Sequence, residues 1–227
     1  LVRYEIARTV IKSRKRFTYK EALAVIEKKK KSPHEPLLQR MVELCYLLKQ
    51  KRFERGSIDF AIAEDVIMVD EKGVPLRMER VEYDITHQMI EEFMLKANEI
   101  VASHLNSQGK TLIYRVHEEP TADSFKDFYA FARTLGFYLP AEPTHRDIQK
   151  LFQEAKDSPL LPQLSVSFIR SMRLASYSPD NIGHYGLALE HYAHITSPIR
   201  RYTDLIIQRL LFDELPPDCD IDAVAQK

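Results

Sequence analysis

A helical repeat of apolar side chains between about Thr86 and Leu105 sets the strongest limit on the fold of this chain. Apolar residues recur there every three or four positions, the spacing that places them on one face of an α-helix. They are Met89, Ile90, Phe93, Met94, Ala97, Ile100 and Val101. A helix of this length must bury that face, so we predict that it packs into the core.

Helical patterns also occur on both sides of this segment. Thr18 and Glu21 form a capping box, in which a hydroxyl and a carboxylate each satisfy a free backbone amide at the start of a helix. Gly56 follows a second helical period and predicts the end of that helix. The predicted helices cover residues 18–30, 37–53, 86–105, three stretches within 122–177, and a last segment that begins at Ser197.

Shorter segments have the pattern of strands. At the start of the chain, Val2, Tyr4 and Ile6 alternate with less apolar residues, as in a half-buried strand. Strands are predicted over residues 2–6, 58–69, 74–83, 111–117 and 182–190, with a turn at 70–73. Because no internal repeat or interdomain linker interrupts the chain, we predict one α+β domain with a mixed sheet packed by several helices.

Composition excludes several classes of protein. Apolar residues make up 44% of the chain and charged residues 29%, which is a globular composition. No stretch reaches the ~18 apolar residues of a membrane-spanning helix, and no secretory leader opens the chain. Cys45 and Cys219 are too few for a disulfide scaffold, and none of the six glycines lies in a phosphate-binding loop motif. We therefore expect a cytoplasmic protein that does not contact membranes.

Positive charge is concentrated at the start of the chain, although Lys and Arg equal Asp and Glu in number overall. Residues 1–31 contain eleven Lys or Arg and three Glu. The run from Lys12 to Phe17 is the most basic part of this segment. Such a segment either contacts a polyanion or forms a solvated face, and the sequence leaves both interpretations open.

The segment from His194 to Tyr202 contains the most informative motif. Ser197 is a preferred N-cap and Pro198 a preferred first residue of a helix, so a helix is predicted to start here. Arg200 and Arg201 then fall in the first turn, where the helix dipole disfavours cations. Such a site favours an anion such as phosphate. The alternative is a surface ion pair between Arg200 and Asp204, four residues apart.

Other groups of functional residue types carry weaker signals. The spacing of His184, His191 and His194 does not place three imidazoles on one face, so it does not indicate a metal site. Glu91 and Glu92 are interpreted as acids that the dipole favours near a helix start. Arginines and tyrosines together suit single-stranded nucleic acid, in which phosphates pair and bases stack. The residues in question are Arg52, Arg55, Arg170 and Arg173 with Tyr114, Tyr177, Tyr185 and Tyr192.

The longest distinctive stretch runs from Gly183 to Ile206 and contains the segment Tyr192-Ala193-His194-Ile195-Thr196-Ser197-Pro198-Ile199-Arg200-Arg201-Tyr202. Together with residues 13–19, 55–60, 90–99 and 114–120, it resembles the RNB domain of the ribonuclease II/ribonuclease R family, in particular the bacterial ribonuclease R members. Nearly the whole chain is covered by this resemblance. It implies part of a processive 3′→5′ exoribonuclease that degrades single-stranded RNA to nucleoside 5′-monophosphates.

The resemblance also implies roles for individual residues. Arg200 lies in the family's Ser-Pro-Ile-Arg element, whose arginine stabilises charge at the scissile phosphate. Further RNA contacts are expected from Arg201, Thr196, Ser197, His194 and Tyr114, the last as an aromatic near the family's base-stacking position.

The family holds Mg²⁺ with aspartates spaced like D-x-D-D in the first part of the RNB domain. This sequence has no such cluster, since Asp59, Asp65 and Asp70 are scattered along the predicted hairpin. We therefore expect residues 1–227 to be the C-terminal portion of one RNB domain, truncated on its N-terminal side and inactive alone. In the parent enzyme it would be flanked by OB-fold RNA-binding domains and would use Mg²⁺.

Two other functions remain open at this level. The chain could be a non-catalytic RNA-binding or partner-binding module derived from the same fold. It could also be a phosphate-handling enzyme unrelated to RNA, which would bind free nucleotides but not single-stranded RNA.

Overall fold

The computed structural model describes residues 3–58, 64–81 and 83–225, and helices dominate that part of the chain. The helices are α1 (Tyr19–Ile26), α2 (Glu35–Arg55), α3 (Ile85–Ser107), α4 (Ala122–Thr134), α5 (His145–Glu154), α6 (Leu161–Ser171), α7 (Tyr202–Leu210) and α8 (Ile221–Ala225). The predicted capping box at Thr18 and Glu21 is present, and Gly56 ends α2 with a φ of 107°. Asp84 caps α3 by accepting a hydrogen bond of 2.7 Å from the backbone amide of Thr86.

The described strands form two separate antiparallel pairs. Strands β1 (Glu64–Val69) and β2 (Pro75–Val81) make a hairpin, and β3 (Tyr114–Val116) pairs with β4 (Ser176–Ser178). A parallel bridge between His117 and His184 extends the second pair. The α+β class is thus confirmed, with its sheet portion reduced to small elements around the helices.

Buried apolar residues form three clusters. In the first cluster α3, β3 and α7 contribute Leu105, Val116 and Ile206. The second lies between α4, α5 and α6, and the third joins α2 to α3 through Cys45 and Met89. Because α3 contributes to two of the three clusters, the prediction that it packs into the core is confirmed.

Three local predictions were wrong. Residues 3–17 have no regular secondary structure, although Ile6 packs against the first cluster. Residues 182–190 are not a strand: a 3-10 turn occupies Tyr185–Leu187. The last predicted helix begins at Tyr202 and not at Ser197. In the first two cases a short apolar pattern was overridden by contacts with distant parts of the chain. In the third, Ser197 and Pro198 form a separate turn in front of α7 and do not start the helix.

Glu92 has a structural role that differs from the predicted one. It lies beyond the first turn of α3, where it cannot compensate the dipole at the helix start. Instead its carboxylate accepts hydrogen bonds of 2.8 and 2.7 Å from the buried Arg52 of α2. This buried ion pair ties α2 to α3.

Of the helices described, none has the length and apolarity needed to cross a membrane.

Candidate functional site

The segment before α7 forms one turn and then breaks. The backbone amides of Arg200 and Arg201 both donate to the carbonyl of Ser197, at 3.3 and 3.1 Å, which is the turn that a Ser-Pro pair favours. Arg201 then adopts an extended conformation, with φ −132° and ψ 117°, and α7 starts at the next residue. Arg200 therefore lies in a turn in front of the helix, and the prediction that it lies in the first helical turn was wrong.

The side chain of Asp204 holds this turn in place through hydrogen bonds. Its carboxylate is fully buried, at 0% exposure, and accepts hydrogen bonds from the Ser197 amide at 2.7 Å and from two nitrogens of Arg201 at 2.8 Å each. Burial alone would raise the pKa of Asp204, but these hydrogen bonds hold that pKa below its ordinary value. The ion pair considered from the sequence exists, but its cation is Arg201 rather than Arg200.

Because Arg201 takes the carboxylate, Arg200 is left exposed. Within the described residues its guanidinium has neither an ion-pair nor a hydrogen-bond partner. The half-buried hydroxyls of Thr196 and Ser197 also bond to no protein group in this part of the structure. The turn thus presents one cation and two hydroxyls that are available to an anionic ligand.

Helix α3 also holds this segment, through the side chain of Asn98. The side chain of Asn98 donates to the Tyr192 hydroxyl at 3.0 Å and accepts from the Ile195 amide at 3.1 Å. Gln208 of α7 donates to the Ile195 carbonyl at 2.7 Å. Hydrogen bonds from two helices therefore fix the backbone that leads into the turn.

His194 lies in a ring-rich environment beside the turn. It shares a hydrogen bond of 2.9 Å with the Tyr177 hydroxyl and makes edge contacts with the rings of Tyr177 and Tyr192. Burial first, and then the positive charge of Arg201, lower the pKa of His194 to about 4. The imidazole is consequently neutral at pH 7, able to exchange a hydrogen bond but carrying no charge.

Positive charge dominates this part of the surface. Arg115, Arg200 and Arg201 all act electrostatically on His194 in the direction that disfavours its protonation. The negative charge of Asp204 acts on the pKa of His194 in the other direction. That charge is already paired with the guanidinium of Arg201. Around His194 there are thus three guanidinium groups and one buried carboxylate. This excess of positive charge favours binding of a phosphate backbone.

Tyr114 does not join this group of residues. It is 5% exposed in β3, and its hydroxyl donates to Asn106 at 2.7 Å. Burial raises the pKa of that hydroxyl. The ring is a core element and has no open face for a base, so the structure gives the predicted stacking role no support.

The described residues do not fit the Mg²⁺ site that the resemblance implies. They contain no group of three or more His, Cys, Asp or Glu side chains close enough to hold a metal ion. Of the aspartates considered from the sequence, Asp59 lies outside the described residues, and Asp70 instead caps the hairpin turn by accepting from the amides of Lys72 and Val74.

Comparison with known families decides the wider placement of this chain. The model of the RNB domain matches residues 1–215. The chain belongs to the RNB domain family. Ribonuclease R of Aquifex aeolicus is 44% identical to it over 217 residues, which are 92% of this chain and 30% of that protein. The chain thus spans about a third of the length of such relatives.

Solved structures of other proteins share this fold. RNase R of Mycoplasma genitalium, determined in complex with ribose methylated single-stranded RNA, superposes with a TM-score of 0.85 at 28% identity, covering 92% of this chain and 36% of that one. Yeast Ssd1, described as a pseudonuclease, superposes with a TM-score of 0.66 at 20% identity, covering 92% and 27%. The second similarity shows the fold alone.

Sequence reasoning missed several residues that shape this RNB site. Asn98 is a polar residue on the buried side of α3, and that mismatch was the available signal. Tyr177 was among the tyrosines considered for base stacking, but the sequence gave no signal that Arg115 lies against it. The two residues meet only through the pairing of β3 with β4, which are far apart in sequence.

Proposed function

We propose that this chain is an RNA-contacting part of a 3′→5′ exoribonuclease that degrades single-stranded RNA to nucleoside 5′-monophosphates. Membership of the RNB family and similarity to proteins named ribonuclease R support this proposal. So does the similarity to a structure that contains single-stranded RNA. The substrate and the activity belong to the whole protein, of which this chain supplies the turn described above.

The observation that carries the proposal is the state of Arg200. Its neighbour Arg201 is neutralised by Asp204, whereas Arg200 is exposed and has no carboxylate among the described residues. A fixed backbone presents it, so only the side chain's own freedom remains to be lost when a phosphate binds. This is the arrangement expected of a cation reserved for a substrate.

In the proposed mechanism Arg200 donates hydrogen bonds to the scissile phosphate and neutralises the charge that develops on it. The hydroxyls of Thr196 and Ser197 bind the same or the adjacent phosphate. Arg201 donates to the RNA from the N–H groups that do not bond to Asp204. The neutral His194 forms one hydrogen bond with the RNA. Tyr114 is not among the proposed contacts, because its ring is buried.

The proposal assigns the remaining functions to other parts of the same protein. Mg²⁺, which the resemblance implies, would be bound by residues outside those described, and OB-fold domains would extend the RNA contact. Inactivity of the chain alone stays a prediction. The two free thiols, Cys45 and Cys219, agree with the reducing cytoplasm as the proposed location.

The test compares Arg200→Ala with the wild type in the full-length protein. Loss of a donor to developing charge should lower the single-turnover cleavage rate by about 10²–10³, because the stabilisation acts mainly in the transition state. Affinity for a labelled oligonucleotide should change little, since other phosphate contacts remain. Arg200→Lys should restore the rate only in part, because an ammonium lacks the guanidinium fork.

Equal falls in rate and affinity would make Arg200 a uniform RNA contact and not a transition-state donor. Unchanged rate and affinity would remove Arg200 from the site. RNA binding without any cleavage by the wild-type protein would favour the alternative function, a non-catalytic RNA-binding module.

A further inference from the structure

Arg115 is placed next to the site by the pairing of β3 with β4. It lies directly opposite Tyr177 in the register of these two strands. Its guanidinium carbon lies 4.8 Å from the centre of the Tyr177 ring, in a cation–π contact. Its own backbone amide donates to the Tyr192 carbonyl at 2.8 Å. The backbone of Arg115 is therefore fixed, and its guanidinium lies over an aromatic face.

Unlike other arginines that contact the protein, Arg115 has no acidic partner among the described residues. Arg52 is paired with Glu92, Arg201 with Asp204, and Arg173 with Glu118. Arg115 is held only by an aromatic face, and it is half-buried rather than free in solvent. A guanidinium that contacts an aromatic ring and no carboxylate keeps N–H groups that can bind phosphate oxygens.

Tyr177 connects Arg115 to the site through a second contact. The face of its ring supports Arg115, and its hydroxyl shares the hydrogen bond with His194. Arg115 also acts electrostatically on His194, as Arg200 does, so both cations lie around the same imidazole. A second guanidinium, that of Arg115, is thus linked to the site through Tyr177 and His194.

We propose that Arg115, supported by the ring of Tyr177, binds a backbone phosphate of the same RNA strand at a subsite separate from the one at Arg200. The proposal rests on the proposed function, because it assumes that single-stranded RNA is the ligand. Arg115 contributes affinity and register of the strand, whereas Arg200 acts on the reacting phosphate. Tyr177 is a positioning residue that acts through Arg115.

The experiment measures the affinity of the full-length protein for a fluorescein-labelled oligo(A) at several salt concentrations. Arg115→Gln should weaken binding and should reduce the slope of log affinity against log salt by about 0.7, the value for one phosphate contact on a single strand. Arg133→Gln is the matched control, since Arg133 is an exposed arginine on α4, away from this site. It should leave both quantities unchanged.

Variants of Tyr177 separate the ring from the hydroxyl. Tyr177→Phe keeps the aromatic face and should keep the salt slope, whereas Tyr177→Leu removes the face and should weaken binding as Arg115→Gln does. Circular dichroism checks that each variant folds. If Arg115→Gln does not fold, Arg115→Met removes the same charge while keeping the aliphatic stem on the ring.

The outcomes distinguish the two proposals. A wild-type protein that does not bind single-stranded RNA overturns the proposed function. A wild-type protein that binds RNA, together with an Arg115→Gln variant that matches Arg133→Gln in affinity and salt slope, overturns only the subsite at Arg115.

Discussion

Asp204 shows how one buried side chain determines which of two adjacent arginines faces a ligand. It binds the guanidinium of Arg201 and the amide of Ser197, and it does so with no exposure to solvent. A buried carboxylate requires such partners, because its desolvation is otherwise unfavourable by several kcal/mol. Arg200 is thereby left exposed beside a fixed turn.

Asp204→Asn should therefore destabilise the fold by about 2 kcal/mol, because it leaves Arg201 without its countercharge. Urea denaturation measures the change. The matched control is Asp213→Asn, since Asp213 also accepts an ion pair, from Lys110 at 2.7 Å, but its side chain is 80% exposed. The control should lose less than ~1 kcal/mol. Equal losses of unfolding free energy in the two variants would show that burial of the Arg201–Asp204 pair does not increase its contribution to stability.

At the scale of elements, α3 supports the site from a distance. One face contributes to two apolar clusters, and Asn98 on the same helix bonds to both Tyr192 and Ile195. The sequence pattern predicted this helix because its apolar period is long. It could not predict what Asn98 binds, since the partners lie more than ninety residues further along the chain.

Asn98→Ala should lower stability by about 2–3 kcal/mol, because it leaves the Ile195 amide and the Tyr192 hydroxyl without partners in a buried region. Asn106→Ala provides the comparison on the same helix. Asn106 also bonds to two side chains, those of Tyr114 and His191, but it is exposed, so water can replace it and the loss should stay near ~1 kcal/mol. Hydrogen exchange at the Ile195 amide should accelerate in Asn98→Ala alone. Unchanged exchange there would contradict the supporting role of α3.

Across the whole molecule, a chain of aromatic contacts runs through the region where the elements meet. Consecutive ring contacts link Tyr177, His194, Tyr192, His184, His117, Tyr185 and His145. Burial first, and then the nearby His117, lower the pKa of His184 to about 3, and His194 is lowered to about 4. The folded protein thus keeps both imidazoles neutral.

This arrangement predicts that acid destabilises the fold well above the range in which carboxylates titrate. In the unfolded chain these histidines bind protons near their ordinary pKa of 6.5. Stability is therefore complete above about pH 6.5 and falls as the pH decreases towards the folded values, by about 1 kcal/mol for each histidine between pH 7 and pH 5.

Urea midpoints at pH 7, 6 and 5 test this dependence. The double variant His184→Asn/His194→Gln removes both titrating groups and should flatten the dependence, even if its stability at pH 7 is lower. Asp204 does not interfere, because its pKa is lowered and it titrates below this window. A double variant with the same pH dependence as the wild type would assign the effect to other groups.

The sequence alone determined the features that depend on neighbours in the chain. The capping box at Thr18, the end of α2 at Gly56 and the extent of α3 follow from local hydrogen bonding and from a long apolar period. The motif around Arg200 was also readable, and it marks the segment that we propose to contact RNA. These features need few partners from elsewhere, so local patterns predict them.

Tertiary structure alone decided which side chains act together. The Ser-Pro pair predicted a helix from Ser197, but Arg201 is extended where it binds the buried Asp204, and α7 begins only at Tyr202. Arg115 met the ring of Tyr177 only because β3 and β4 pair across some sixty residues. A charged group is placed by the burial of its partner, and burial depends on every element that covers it.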